Sequence, residues 1–163
     1  MSRTLTRRSA LMLSVSAVLA TAGCADAVPR DSQGTLERAE GGRLFVGAAE
    51  NPPWTEIADD GSVGGLEADI IADYAASIDA TVEWTTGGMN ELARTMKNNE
   101  LDLVIGGLTA DTPWSDKISP TRPYQVVRAE DGSKQKMVIG VRPGENALQV
   151  SLERFLAKRT GEL

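Results

Sequence analysis

Histidine, the usual near-neutral acid–base group and the commonest metal ligand, does not occur among the 163 residues. Cysteine occurs once, at Cys24. The carboxylates available for chemistry are Glu50, Glu67 and Asp111. Acid–base work requires carboxylates with displaced pKa in a closed cleft. No nucleophile stands beside a base, and solvated surface charge is the simpler reading of all three. Gly87-Gly88 and Gly106-Gly107 lack the spacing of a dinucleotide-binding loop. The sequence predicts a chain that is not an enzyme and has no cofactor and no metal site.

Such groups act only where secondary structure positions them. Leu44-Phe45-Val46-Gly47-Ala48 is a short buried-strand candidate, broken by Asn51-Pro52-Pro53, and Asp59-Asp60-Gly61 marks a tight turn. Leu66, Ile70, Ile71, Tyr74, Ala75 and Ile78 recur near 3.6 residues, predicting an amphipathic helix over 66–78. Thr81–Trp84 is strand-like, Met89–Asn98 helical again, and Leu101–Ile105 a third strand that ends in Gly106-Gly107. Strands alternating with helices of this length imply parallel βαβ units. Two more strand candidates, Tyr124–Val127 and Lys136–Val141, flank a short polar stretch. A last helix is expected from Asn146, as its cap, to about Lys158. The predicted architecture is one α/β lobe with a mostly parallel sheet flanked by helices.

The first residues follow another logic. Arg3, Arg7 and Arg8 precede an uncharged 13-residue run, Ser9–Thr21, and then Ala22-Gly23-Cys24. A basic start, a short apolar run and small residues make a secretory signal; a membrane-spanning helix needs about 20 apolar residues. Thr6–Leu11 resembles a twin-arginine motif, with Ala10 in place of a bulky residue, so both that route and the general one stay open. Ala22-Gly23-Cys24 resembles the end of a lipobox, which implies lipidation of Cys24; Thr21 departs from the pattern, and Ala20-Thr21-Ala22 or Ala25-Asp26-Ala27 would serve ordinary cleavage. Lipidation also accounts for an unpaired cysteine in an exported chain. The expected organisation is a signal peptide over 1–23, a flexible tether over 24–42 and the α/β lobe over 43–163. The net charge of −6 without a basic cluster argues against nucleic acid as a partner.

Phe45-Val46-Gly47, Asn51-Pro52-Pro53-Trp54, Gly65–Ile70, Leu101–Thr109 and Pro123-Tyr124, followed by Val138–Val141 and the last helix, come in an order that resembles family 3 extracellular solute-binding proteins. These are binding components of polar amino-acid ABC importers, with the type 2 periplasmic binding protein fold: two α/β lobes joined by two hinge strands. Only Arg128–Gln135 stands where the family has its second lobe. The resemblance therefore implies a single lobe whose hinge strands are joined by a short turn. It also implies ligand contacts at Trp54, Gly107, Leu108 and Thr109, on the rim beyond the carboxyl ends of the strands. The family's carboxylate-gripping arginine is replaced here by Ser115, which offers neither charge nor fork. The resemblance places the protein in the periplasm or at the outer face of the cytoplasmic membrane. Weak or partner-dependent binding of a small polar solute such as an amino acid is expected, in ABC-type transport or sensing beside a membrane transporter or other membrane protein. The alternative is an accessory protein-interaction lobe without a small-molecule ligand.

Overall fold

The structure is a computed structural model that describes residues 29–129 and 131–161. The expected signal segment and Cys24 lie outside these residues. Among those described, no helix is long and apolar enough to cross a membrane.

The elements run α1 (Thr35–Ala39), β1 (Arg43–Ala48), β2 (Glu56–Ile57), β3 (Val63–Gly64), α2 (Leu66–Ser77), β4 (Thr81–Thr86), α3 (Met89–Lys97), β5 (Leu103–Ile105), β6 (Ser119–Pro120), β7 (Gln125–Arg128), β8 (Lys134–Met137), β9 (Gly140–Val141) and α4 (Asn146–Thr160). The central sheet has the order β4-β1-β5-β9-β6. β1 pairs in parallel with both β4 and β5, whereas β9 runs antiparallel to β5 and β6. Four of the five strands thus point one way. The mostly parallel lobe expected from the alternation of periods is present.

Burial explains the layering. Leu44, Val46 and Ala48 join Leu103, Ile105 and Ile139 in a core covered by α2 and α4. The other face, with Ala49, Val104 and Val138, is covered by Leu92, Ala93 and Met96 of α3. Because both faces are buried, β1 reads as a continuous apolar run rather than an alternating one. A Cβ at Gly47 would lie 2.8 Å from Leu101 Cδ1 and 3.1 Å from Leu92 Cδ2, so glycine there lets α3 approach the sheet. α2 follows β1 on one face and α3 follows β4 on the other. The crevice beyond these neighbouring strands is therefore a topological switch point.

The two hinge strands are joined directly. β7 and β8 form an antiparallel ribbon from Gln125↔Met137 to Arg128↔Lys134, closed by Ala129 N–H donating to Ser133 O at 2.9 Å. The second lobe is absent between them, as the spacing implies.

The tether expected over 24–42 is shorter than the sequence suggests, because residues from Asp31 onward are packed. Asp31 accepts hydrogen bonds from Leu36 N at 2.6 Å and from Leu148 N at 2.9 Å. Glu145 accepts from Ser32 Oγ at 2.6 Å, Gln33 N at 3.0 Å and Thr35 N at 3.2 Å. Each carboxylate satisfies amides at the start of the other element, the ordinary need of a helix N-terminus. Thr35 and Ala39 are buried beneath this contact. Beside it, Asp102 is buried against Arg38 at 2.6 Å and Arg142 at 3.4 Å, and accepts from Phe45 N at 3.0 Å. The cluster locks α1, β1, β5 and α4 together at the amino end of the sheet, opposite the crevice. α4 begins at Asn146, but Glu145, not Asn146, occupies its cap position, with no side-chain cap bond of its own.

Candidate binding cavity

Three loops leave the carboxyl end of the sheet, after β1, β4 and β5, and enclose a cavity of about 680 Å³. That is a small-ligand size. Ala49, Glu50 and Asn51 come from the first loop, Thr86, Gly87, Gly88 and Met89 from the second, and Gly106, Gly107, Leu108 and Thr109 from the third. Ile57, Thr112, Pro113 and Trp114 complete the wall. The cavity has no second wall facing this one.

Gly106 and Gly107 shape the floor. Their φ values of 147° and 67° lie where glycine is favoured. A Cβ at Gly107 would run into the Asn51 amide and lie 2.9 Å from Trp54 Cδ1. Asn51 Nδ2 donates to Gly106 O at 3.0 Å and braces the turn from outside. From behind, one carboxylate holds both glycine amides: Glu67 Oε2 accepts from Gly106 N at 2.8 Å, Gly107 N at 2.9 Å and Thr55 Oγ1 at 3.1 Å. Its other oxygen accepts from Tyr124 Oη at 2.6 Å. Burial, then the neighbouring Glu67 charge and this hydrogen bond, push the Tyr124 phenol far above its ordinary value, so it stays a donor.

The reading of Glu67 as solvated surface charge is corrected here: its side chain is fully buried. It sits in the first turn of α2, on the face of Ile70, Ile71 and Tyr74, and that i, i+3, i+4, i+7 relation was the available signal. Glu50 is exposed on the cavity rim, as the surface reading expects. Asp111 is exposed outside the lining, and the hydroxyl of Thr109 beside it holds its carboxyl below the usual range.

Of the four predicted contact residues, Gly107, Leu108 and Thr109 line the cavity. Trp54 does not: its half-buried indole packs under Gly107 and against the α2 core. Its carbonyl accepts from Glu67 N at 2.9 Å, so Trp54 helps to start α2. Ser115 is exposed and outside the lining, and Arg122 lies on the α4 side, 3.7 Å from Glu153. Among the described residues, no lysine or arginine lines the cavity, and Glu50 is its one charged lining residue.

Three polar features were not legible from motif position. Thr112 lines the wall, is only 4% exposed, and its Oγ1 has no hydrogen-bond partner among the described residues. Met89 and Asn90 open α3 at the cavity, where amides of the first helical turn lack intrahelical acceptors. Trp114 is fixed by Nε1 donating to Asn90 Oδ1 at 2.8 Å. The cavity thus offers hydroxyl and amide donors on one wall, a carboxylate on another, and apolar contact from Ile57, Met89, Leu108 and Trp114. Among the described residues, no group of His, Cys, Asp and Glu could hold a metal ion.

Fold and cavity together define a single lobe of the type 2 periplasmic binding protein class. Residues 44–162 match the family of bacterial extracellular solute-binding proteins, family 3, and the chain belongs to that family. No curated protein matches the chain. Among solved structures, the arginine-bound form of domain 1 from TmArgBP, from T. maritima, aligns with TM-score 0.60 and 21% identity, over 78% of this chain and 98% of that one. An ancestral cationic amino-acid solute-binding protein aligns with TM-score 0.66 and 13% identity, over 78% and 94%; it is also described as a precursor of cyclohexadienyl dehydratase. A binding component of an ABC transporter from Wolinella succinogenes, complexed with lysine, aligns with TM-score 0.64 and 11% identity, over 74% and 91%.

Proposed function

We propose that the protein is an exported, membrane-tethered solute-binding lobe that takes a small amino-acid-like solute weakly in the cavity beyond β1, β4 and β5. The carrying observation is the wall itself: an unpartnered, buried Thr112 hydroxyl and the α3 amides stand on one side, and Glu50 on the rim of the other. A carboxylate suits the first pair, because amides at a helix N-terminus carry partial positive charge; an ammonium suits Glu50. Without a cation in the lining or an opposing lobe, water screens each contact. Affinity in the millimolar range, about −4 kcal/mol, is the expected scale. A lone lobe is a sufficient floor in at least one relative, since domain 1 from TmArgBP is solved with arginine bound. Catalysis is not part of this reading: the buried carboxylate behind the cavity floor, Glu67, already accepts four hydrogen bonds.

Tethering belongs to the same reading. If Cys24 carries lipid, six residues (25–30) join it to the packed Asp31, a reach of about 20 Å at ~3.3–3.6 Å per residue. The amino end of the sheet then faces the membrane and the cavity faces away, towards solute or a transporter's outer domain. Tethering raises the local concentration of a weak binder beside its partner.

A thermal-shift screen of the purified chain tests solute capture. A shift with one amino acid at millimolar concentration, lost in Glu50→Gln, supports it. No shift with any amino acid favours the second reading, an accessory interaction lobe, which the exposed Val126 on the β7–β8 ribbon recommends.

A further inference from the structure

The β7–β8 ribbon has two unlike faces. Cross-strand partners share a face, so the register puts Gln125, Val127, Gln135 and Met137 on one side and Val126, Arg128, Lys134 and Lys136 on the other. The first side is turned inward: Met137 is buried and Val127 packs against the core. The second side holds three cations and a valine that is 55% exposed. Arg128 stands directly opposite Lys134, an arrangement that disfavours the ribbon on its own. None of the three cations makes an ion pair among the described residues. Asp131, at the turn, accepts from Ser133 N at 2.8 Å.

The complementary surface lies on the same chain. Residues 44–93 contain ten Asp or Glu and no Lys or Arg. Four of these acids, Glu50, Glu56, Asp59 and Asp60, are exposed on the loop after β1 and on the β2–β3 hairpin. β7 continues the chain beyond the carboxyl end of β6, and β2 does so beyond that of β1, so both hairpins rise from the end of the sheet that bears the cavity. A two-fold pair of copies can bring patches of opposite sign together, because one patch of each sign per copy is self-complementary under that symmetry.

We propose that the basic face of β7–β8 docks on the acidic β2–β3 rim of a second copy of this chain, the two copies meeting cavity end to cavity end. Each copy then stands where the other lacks a wall. The cavity loop after β5 is tied to the ribbon, since Lys136 O accepts from Ala110 N at 2.9 Å and Leu108 O from Val138 N at 2.9 Å. The docking holds whether or not the cavity takes a solute, and its test reads assembly alone.

The test is a charge swap in the full chain carrying Cys24→Ser, which keeps it unlipidated, followed by sedimentation velocity across the micromolar range. Wild type should gain mass with concentration and lose it with added salt. Lys134→Glu with Lys136→Glu makes both patches acidic; Glu50→Lys with Glu56→Lys and Asp59→Lys makes both basic. Each variant alone should associate roughly tenfold or more weakly. An equimolar mixture of the two should recover the pair, because acidic then meets basic at both contacts. Circular dichroism confirms that both variants are folded. A wild type that stays monomeric, variants that pair as wild type does, or a mixture of folded variants that fails to pair would each overturn the proposal. If monomeric wild type shows ribbon amides responding to poly-glutamate, the face belongs to a foreign acidic protein instead.

Discussion

Replacing Glu67 by alanine removes the acceptor for Gly106 N, Gly107 N, Thr55 Oγ1 and Tyr124 Oη at once. The two glycine amides border the open cavity, where water can replace the carboxylate. Thr55 and Tyr124 are buried, so their hydroxyls cannot be resolvated without opening the α2 core. Two buried donors left without a partner cost about 1–3 kcal/mol each, which with the lost packing gives about 3–5 kcal/mol for Glu67→Ala. At this domain size the melting temperature should fall on the order of 10 °C. Glu67→Gln keeps the shape and one acceptor oxygen, and Tyr124 can turn its hydroxyl to accept from the new amide; about 1–2 kcal/mol is expected. Tyr124→Phe leaves a buried carboxylate oxygen without its donor, at about 1.5–3 kcal/mol. Since the two residues share one bond, the double variant should fall short of the sum by about 1 kcal/mol. Urea unfolding followed by tryptophan fluorescence measures all four. If Glu67→Ala lies within about 0.5 kcal/mol of wild type, Glu67 is a surface charge after all and does not hold the cavity floor.

Acid should release α1 before the core. Burial pushes the Glu145 carboxyl up, but hydrogen bonds from Ser32 and Thr35 and the charge of Arg142 outweigh it, leaving it below its ordinary 4.5. A depressed folded pKa gives stability that is present above the unfolded value and lost as pH falls from about 5 through the folded one. Protection factors at residues 32–39, which are corrected for the intrinsic slowing of exchange in acid, should therefore fall in that window ahead of those in β1, and Glu145→Gln should abolish that fall. Gly107→Ala should destabilise by more than about 1 kcal/mol through its φ of 67° and the contact with Trp54; differential scanning fluorimetry reads it. Cys24→Ser should move the exported chain from the membrane fraction to the soluble one; unchanged fractionation would refute the lipid tether.

The parts legible in the sequence were those with a long period. α2 and α4 bury Ile70, Ile71 and Tyr74, and Leu148, Leu152 and Leu156, at helical spacing, and β1 and β5 are unbroken apolar runs. The short stretch Arg128–Gln135 betrays the missing lobe because eight residues are too few to form one. α1 was missed because five residues hold no period, and because its anchors, Asp31 and Glu145, are 114 positions apart. Glu67 reads as surface charge because a carboxylate is ordinarily exposed, although its position on the apolar face of α2 marks it as buried. The place of Trp54 after the prolines does not tell that its indole lies against Gly107 and packs, half-buried, on the α2 core, because that packing is set by residues distant in sequence.

The proposed function turns on whether one wall suffices to hold a solute. A titration of the ¹⁵N-labelled chain with arginine, lysine and glutamate to tens of millimolar measures this at single amides. Saturable shifts confined to Gly87–Asn90, Gly106–Thr109 and Thr112, weakened in Glu50→Gln, are the result expected of solute capture in this cavity. Shifts that fail to saturate, or that fall on β7–β8 while the cavity amides stay still, would contradict it.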